Sequence, residues 1–180
     1  MIVMKTREKN FKFYIYYING ILYNVLIQFI KYFYLKKVVW MISDFFNKMT
    51  GEFNYKPDEV RQLSPLVLAY IGDAVYEVFI RTMLVTEGNV PVHVLHKRSI
   101  AYVKAKAQSD VIHRIMPFLT EEELGVVRRG RNAKSATVPK NADVSEYRYA
   151  TGFESLIGFL YLKKDYERLM DILRMAIVKD

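Results

Sequence analysis

After residue 55, apolar positions recur at three- and four-residue spacing, and the polar residues between them fall where helices start and stop. Pro57, Asp58 and Glu59 make the first turn of a short helix. Ser64 followed by Pro65 reads as an N-cap with proline at the first helical position, opening a helix predicted to run to about Thr86, ahead of Gly88. Pro91 starts another short helix. From Ser99 to Met116, Ile100, Val103, Ala107, Val111 and Ile115 form one amphipathic stripe that Pro117 ends. Thr120 and Glu123 have the spacing of a capping box, and the helix they open is predicted to end near Gly130. The segment RNAKSATVPKNA, from Arg131, has no periodicity and reads as a basic loop. Asp143 can cap a helix that carries GFESLIGFLYL to about Lys163, and Asp165 opens a last one. No strand pattern competes. The expectation is an all-α fold of about six or seven helices, with no internal repeat and one domain over residues 51–180.

The pattern changes near residue 50. Residues 1–50 are crowded with Tyr, Phe and Ile, and Phe13 to Ile30 is an uncharged run flanked by Lys12 and by Lys31, Lys36 and Lys37. A bilayer span needs about 20 mostly apolar residues, whereas this run contains Asn19, Gly20, Asn24 and Gln28. No small-residue cleavage site follows, which argues against a secretory signal. Three readings are open: a membrane anchor, an accessory helix packed on the domain, or codons upstream of a true start at Met41 or Met49. The last is preferred, and a membrane partner is expected only if residues 13–30 are a genuine anchor.

The 180 residues suffice for one domain with a proper core, and 52% hydrophobic content argues against disorder. The absence of cysteine excludes disulfides, a thiol nucleophile and cysteine-ligated zinc, and fits a cytoplasmic location. The net charge of +8 is concentrated at the start: residues 1–50 carry +6, and the rest of the chain is nearly neutral. A polyanion site therefore has to rest on a local cluster. One exists in Arg128, Arg129, Arg131, Lys134 and Lys140, with no acid between Glu123 and Asp143. A solvated helix end helped by its dipole explains Arg128 and Arg129, but not the basic loop beyond Gly130.

Few motifs carry chemistry. GVVRRGRN, from Gly125, has the glycine spacing of a phosphate-binding loop but lacks its Lys-Ser/Thr and a preceding strand. His93 and His96 share one helical turn with no acid nearby, which is a weak metal site. No glycine-flanked serine nucleophile is present. Two acids stand out instead. Asp73 lies in LVLAYIGDAVYEVFI and Glu154 in YATGFESLIGFLYL. An ionised carboxylate in apolar surroundings is costly to desolvate unless a cation meets it. On their helix faces Asp73 has Ala69, Tyr70, Tyr76 and Glu77, and Glu154 has Ala150, Thr151, Ile157 and Gly158, so small residues leave space beside both. Two carboxylates from different helices facing a gap suit Mg²⁺, which completes its shell with water and substrate phosphate. The competing reading pairs each acid with a basic residue, Asp73 with Arg148 for example, for structure alone.

IGDAVYE followed downstream by FESLIGFLYL resembles the paired signatures of the ribonuclease III catalytic domain. With LHKRS and GRNAKSATVPKNADVSEYRYATGFE between them, the chain from about residue 58 to 180 resembles more closely the Mini-ribonuclease III branch, which lacks a separate double-stranded-RNA-binding domain. The resemblance does not extend to residues 1–50. It implies a dimeric Mg²⁺-dependent endoribonuclease that hydrolyses double-stranded RNA, leaves 5′-phosphate ends and matures 23S ribosomal RNA. Asp73 and Glu154 would be its catalytic and metal-holding residues, while Arg128, Arg129, Arg131, Lys134 and Lys140 would grip backbone phosphates. The helix from Pro65 to Ile80, apolar on nearly every side, would pair two copies so that each site cuts one strand. The chain departs from full-length ribonuclease III where that family has further acids: here stand Ala69, Leu66 and Thr151. One firmly held Mg²⁺, with a second recruited partly by substrate phosphate, is therefore the expectation. The rival from another class is a non-catalytic RNA-binding or ribosome-associated protein on the same fold, and retention of both acids beside small residues argues against it.

Overall fold

The computed structural model describes residues 44, 48, 55–86, 88–134 and 143–178. The chain divides into two units, Met1–Phe46 and Asn47–Asp180. The expectations for Phe13 to Ile30, and for a boundary near residue 50, lie outside the described residues. Among the described residues no helix is long and apolar enough to cross a membrane.

Seven α-helices and one short 3-10 turn make up the described part of the second unit. They are α1 (Pro57–Gln62), α2 (Pro65–Thr86), α3 (Val92–Val103), α4 (Ala105–Ile115), the turn Met116–Phe118, α5 (Glu121–Asn132), α6 (Val144–Leu162) and α7 (Tyr166–Ile177). No strand occurs among the described residues, so the fold is all-α as expected. Three helix starts are visible in the side chains that cap them. Thr120 Oγ1 accepts from Glu123 N (3.3 Å) while Glu123 Oε2 accepts from Thr120 N (2.7 Å). Asp143 Oδ1 accepts from Ser145 N and Glu146 N at 2.7 and 3.1 Å. Asp165 caps α7 through Arg168 N.

Two predicted boundaries are corrected. The stripe from Ser99 to Met116 is not one helix: the backbone is extended at Lys104 (φ −65°, ψ 147°), which separates α3 from α4. α3 packs on α2 and α4 packs on α6 and α7, and one straight helix cannot follow both surfaces. Ile100 is consequently exposed, whereas Val111, Ile112 and Ile115 are buried. The helix expected to stop near Gly130 runs on to Asn132. Gly130 is a packing contact rather than a terminator, since a Cβ there would meet Ser155 Oγ and the Gly152 backbone on α6.

α6 is the centre of the domain and packs most extensively on α2, then on α5 and α4. From Ala150 to Tyr161 every residue is buried except Glu154. A helix apolar on all sides is stable only when other helices surround it, as they do here. Its crossing with α2 depends on two glycines. A Cβ on Gly72 would strike the Glu154 carbonyl, and one on Gly158 would strike the Leu68 carbonyl. Beside this contact the Tyr76 and Phe153 rings meet edge to face, centroids 5.0 Å apart. The Ser155 hydroxyl lies 2.9 Å from Pro65 O and 2.7 Å from Thr151 O, which ties α6 to the first turn of α2.

α7 is clamped to α5 by Arg168, which donates to both Glu123 carboxylate oxygens (2.7 and 2.9 Å) and to Phe118 O (2.8 Å). Burial pushes the Glu123 carboxyl up, but the hydrogen bonds from Arg168 and Thr120 hold it net below the ordinary carboxylate range. α2 leaves Val67, Tyr70 and Val78 exposed, Tyr70 to 82%. With exposed Ala74 these positions follow helical spacing and form one apolar stripe.

Candidate active site

Asp73 and Glu154 sit on the two helices that approach most closely, α2 and α6, and the Gly72 contact sets the backbone of Glu154 directly against the turn that carries Asp73. Asp73 keeps contact with solvent, yet surrounding protein still raises its pKa, first by burial and then through the like charge of Glu77. Glu77 itself is paired with Arg81, one turn further on. Glu154 is more enclosed. Burial, followed by the negative charge of Asp73, pushes its pKa up to about 8, and an interaction with the Gln108 side chain pulls it partly back.

These directions decide between the two readings of the acids. A carboxylate paired with a cation has a lowered pKa, as Glu122 does between Lys163 and Arg61. Asp73 and Glu154 are both raised, each with an acid among the causes and no cation. Arg148, the partner proposed for Asp73, is exposed and lines a cavity with Arg131, Asn132, Val144, Ser145 and Tyr149. Among the described residues, no cation is paired with either acid. Two uncompensated carboxylates that repel each other are what a cation relieves, and oxygen donors are the ligands Mg²⁺ takes. No group of three or more metal-ligating side chains occurs among the described residues, so the donor set fits an ion that draws most of its shell from water and substrate. The expected space beside the acids is partly corrected: Gly158 is filled by the α2 backbone at Leu68, and Ala69, Ala150 and Thr151 are buried in packing. His93 and His96 are both exposed.

The basic residues separate into groups. Arg128 and Arg129 are exposed; Arg128 lies 3.7 Å from Glu121, and Arg129 donates to Arg61 O at the end of α1 (2.8 Å). Arg131 donates to Tyr149 Oη (3.2 Å), and its guanidinium stands 5.5 Å from the Tyr149 ring centroid. The Tyr149 ring also packs on His113, centroids 4.1 Å apart. Lys134 is exposed, and Lys140 lies outside the described residues. Sequence reasoning missed Gln108 altogether and considered Arg148 only as a partner for Asp73. Arg148 joins Arg131 only because α6 folds back beside α5. Gln108 is buried beside Glu154, and its one visible signal is a polar residue in register with Val111, Ile112 and Ile115 on the buried face of α4.

Comparison with known proteins agrees with this architecture. The Ribonuclease III domain family model matches residues 66–165. The chain is 57% identical over 118 residues to the Mini-ribonuclease 3 of Thermoanaerobacter sp. (strain X514), which covers 66% of this chain and 83% of that relative. It is 51% identical over 124 residues to the Mini-ribonuclease 3 of Clostridium tetani, covering 68% and 82% respectively. The crystal structure of a Fusobacterium nucleatum protein superimposes with a TM-score of 0.60 at 35% identity, over 66% of this chain and 95% of that one.

Proposed function

The chain belongs to the ribonuclease III domain family, and on that premise we propose that it is a Mg²⁺-dependent endoribonuclease that hydrolyses double-stranded RNA. The observation that carries the reading is the pair Asp73 and Glu154, brought together across α2 and α6 and met by no cation among the described residues. These two residues hold the ion. Bound there, Mg²⁺ supplies water activation at neutral pH and stabilises charge on the leaving oxygen. Burial raises the Glu154 pKa to about 8, so uptake of an ion there would require the carboxyl to release its proton.

Arg128, Arg129, Arg131, Lys134 and Lys140 hold the duplex by its phosphates, with Arg148 beside Arg131 in the same cavity. A-form RNA exposes phosphates and 2′-hydroxyls across a shallow minor groove, so such contacts position the duplex without selecting a sequence. Two copies pair through the exposed stripe Val67, Tyr70, Ala74 and Val78 on α2, which places the two Asp73 residues near one interface and one site on each strand. The resemblance to the Mini branch supports precursor 23S ribosomal RNA as the substrate, and with it a cytoplasmic location. Residues 51–180 constitute the catalytic domain, and a chain lacking residues 1–48 should remain an active dimer.

Incubation of the purified protein with duplex RNA, with and without Mg²⁺, tests the central claim. Cleavage should require the ion and should disappear in Asp73→Asn and Glu154→Gln while RNA binding persists. Metal-dependent cleavage by either variant overturns the assignment.

A further inference from the structure

We propose that Gln108 is a positioning residue for the active site: its amide, delivered by α4 into the interface with α6, orients the Glu154 carboxylate for cation binding. The inference deepens the proposed function and rests on Glu154 being a ligand to the ion.

Gln108 is 1% exposed and occupies a core position of α4, in register with Val111, Ile112 and Ile115. An amide placed there costs free energy unless it finds a partner. Its Nε2 completes no hydrogen bond of good geometry within the protein, one of two such buried side-chain atoms among the described residues. α4 packs extensively on α6, the helix that carries Glu154, and the group on which the Gln108 side chain acts there is the Glu154 carboxyl. Two neighbours of Gln108 on α4 make contacts of their own. Lys106 turns outward to Asp110 (3.4 Å) and Glu146 (3.6 Å), and Ser109 O accepts from His113 Nδ1 (2.7 Å). Gln108 thus presents a buried amide donor beside the Glu154 carboxyl, and N–H bonds to a charged oxygen are shorter and stronger than those to a neutral one.

The choice of a neutral amide has a chemical reason. An Arg or Lys at this position would neutralise Glu154 and repel a divalent ion, and an acid would add a third like charge to a partly desolvated site. An amide N–H fixes one carboxylate oxygen without changing the net charge, leaving the other to face the ion. The terminal torsion of a glutamate is broad and roughly two-fold, so without this bond the side chain samples orientations that bind the ion poorly.

The test uses the full chain and the variants Gln108→Met, which keeps the shape and removes the donor, and Gln108→Asn, which draws the amide back by one methylene. Three quantities are measured: Mn²⁺ affinity by paramagnetic resonance without RNA, the Mg²⁺ concentration for half-maximal duplex cleavage, and the melting temperature in chelator. Mn²⁺ affinity should weaken by about 10- to 100-fold in both variants, as loss of an outer-shell partner does elsewhere, with the Mg²⁺ requirement rising in parallel and high Mg²⁺ restoring turnover. The melting temperature of Gln108→Met should be unchanged or raised, because an orphaned polar group has been removed. A merely structural glutamine would lower the melting temperature and leave Mn²⁺ affinity alone, and that result overturns the proposal. Should Gln108→Met fail to fold, wild-type Mn²⁺ affinity in Gln108→Asn overturns it equally. Glu154→Gln separates the two levels: if it binds Mn²⁺ like wild type, the proposed function and this inference fall together, whereas its loss of binding beside an unaffected Gln108→Met removes only the role of Gln108.

Discussion

Glu154 makes the ion-free protein sensitive to pH in a direction opposite to most carboxylates. Its pKa rises from an ordinary 4.5 to about 8 in the fold, so between those values the native state holds a proton that the unfolded chain releases, and stability falls as pH rises. At about 1.36 kcal/mol per pKa unit, the cost of keeping Glu154 in the fold is about 3 kcal/mol at neutral pH and levels off near 5 kcal/mol above the folded pKa. Both are upper values, because water entering the site screens the charge. Glu154→Gln removes this cost. In chelator the variant should match wild type near pH 5 and exceed it progressively up to about pH 9, by several degrees in melting temperature for a domain of this size. Mg²⁺ should then stabilise wild type and leave the variant unmoved. Melting curves across pH with and without Mg²⁺ provide the assay. Parallel pH profiles for the two proteins would refute the argument, since they would mean that Glu154 already has a compensating partner.

Other perturbations test the packing and the RNA face. Gly158→Ala pushes a methyl group into the Leu68 carbonyl, a backbone atom that cannot rotate aside, and should destabilise the domain by about 3 kcal/mol in urea unfolding with an unchanged slope. Arg168→Ala strands the buried Glu123 carboxylate and should cost about 3 kcal/mol at neutral pH. Because Glu123 is held below its ordinary pKa, that difference should be complete above the unfolded carboxylate range and vanish as pH falls through the folded value. On an Asp73→Asn background, Arg131→Ala, Lys134→Ala and Arg148→Ala should each lower the slope of log affinity for duplex RNA against log salt by about one unit. Equal slopes would return these residues to a solvated surface.

How much was legible in the chain follows from the range of each interaction. Caps and periodicity are local, so the helix opened by Ser64 and Pro65, the Thr120 and Glu123 box, and the starts at Asp143 and Asp165 could be read from neighbouring residues, and so could Asp73 and Glu154 as acids in apolar helices. The break at Lys104 could not, because neither glycine nor proline marks it and only the surfaces of α2 and α6 require it. Gly130 was read as a helix end and Gly158 as space beside Glu154, whereas the fold uses the glycines at 72, 130 and 158 to bring helices together. Whether the two acids had cations was likewise undetermined by spacing. Arg148 was a plausible partner until α6 carried it to the cavity beside Arg131, and Gln108 had no visible role until α4 carried it to Glu154. Residue types thus limited what chemistry was available, while the charge state of the site depends on which groups the packed helices bring near it and which they keep away.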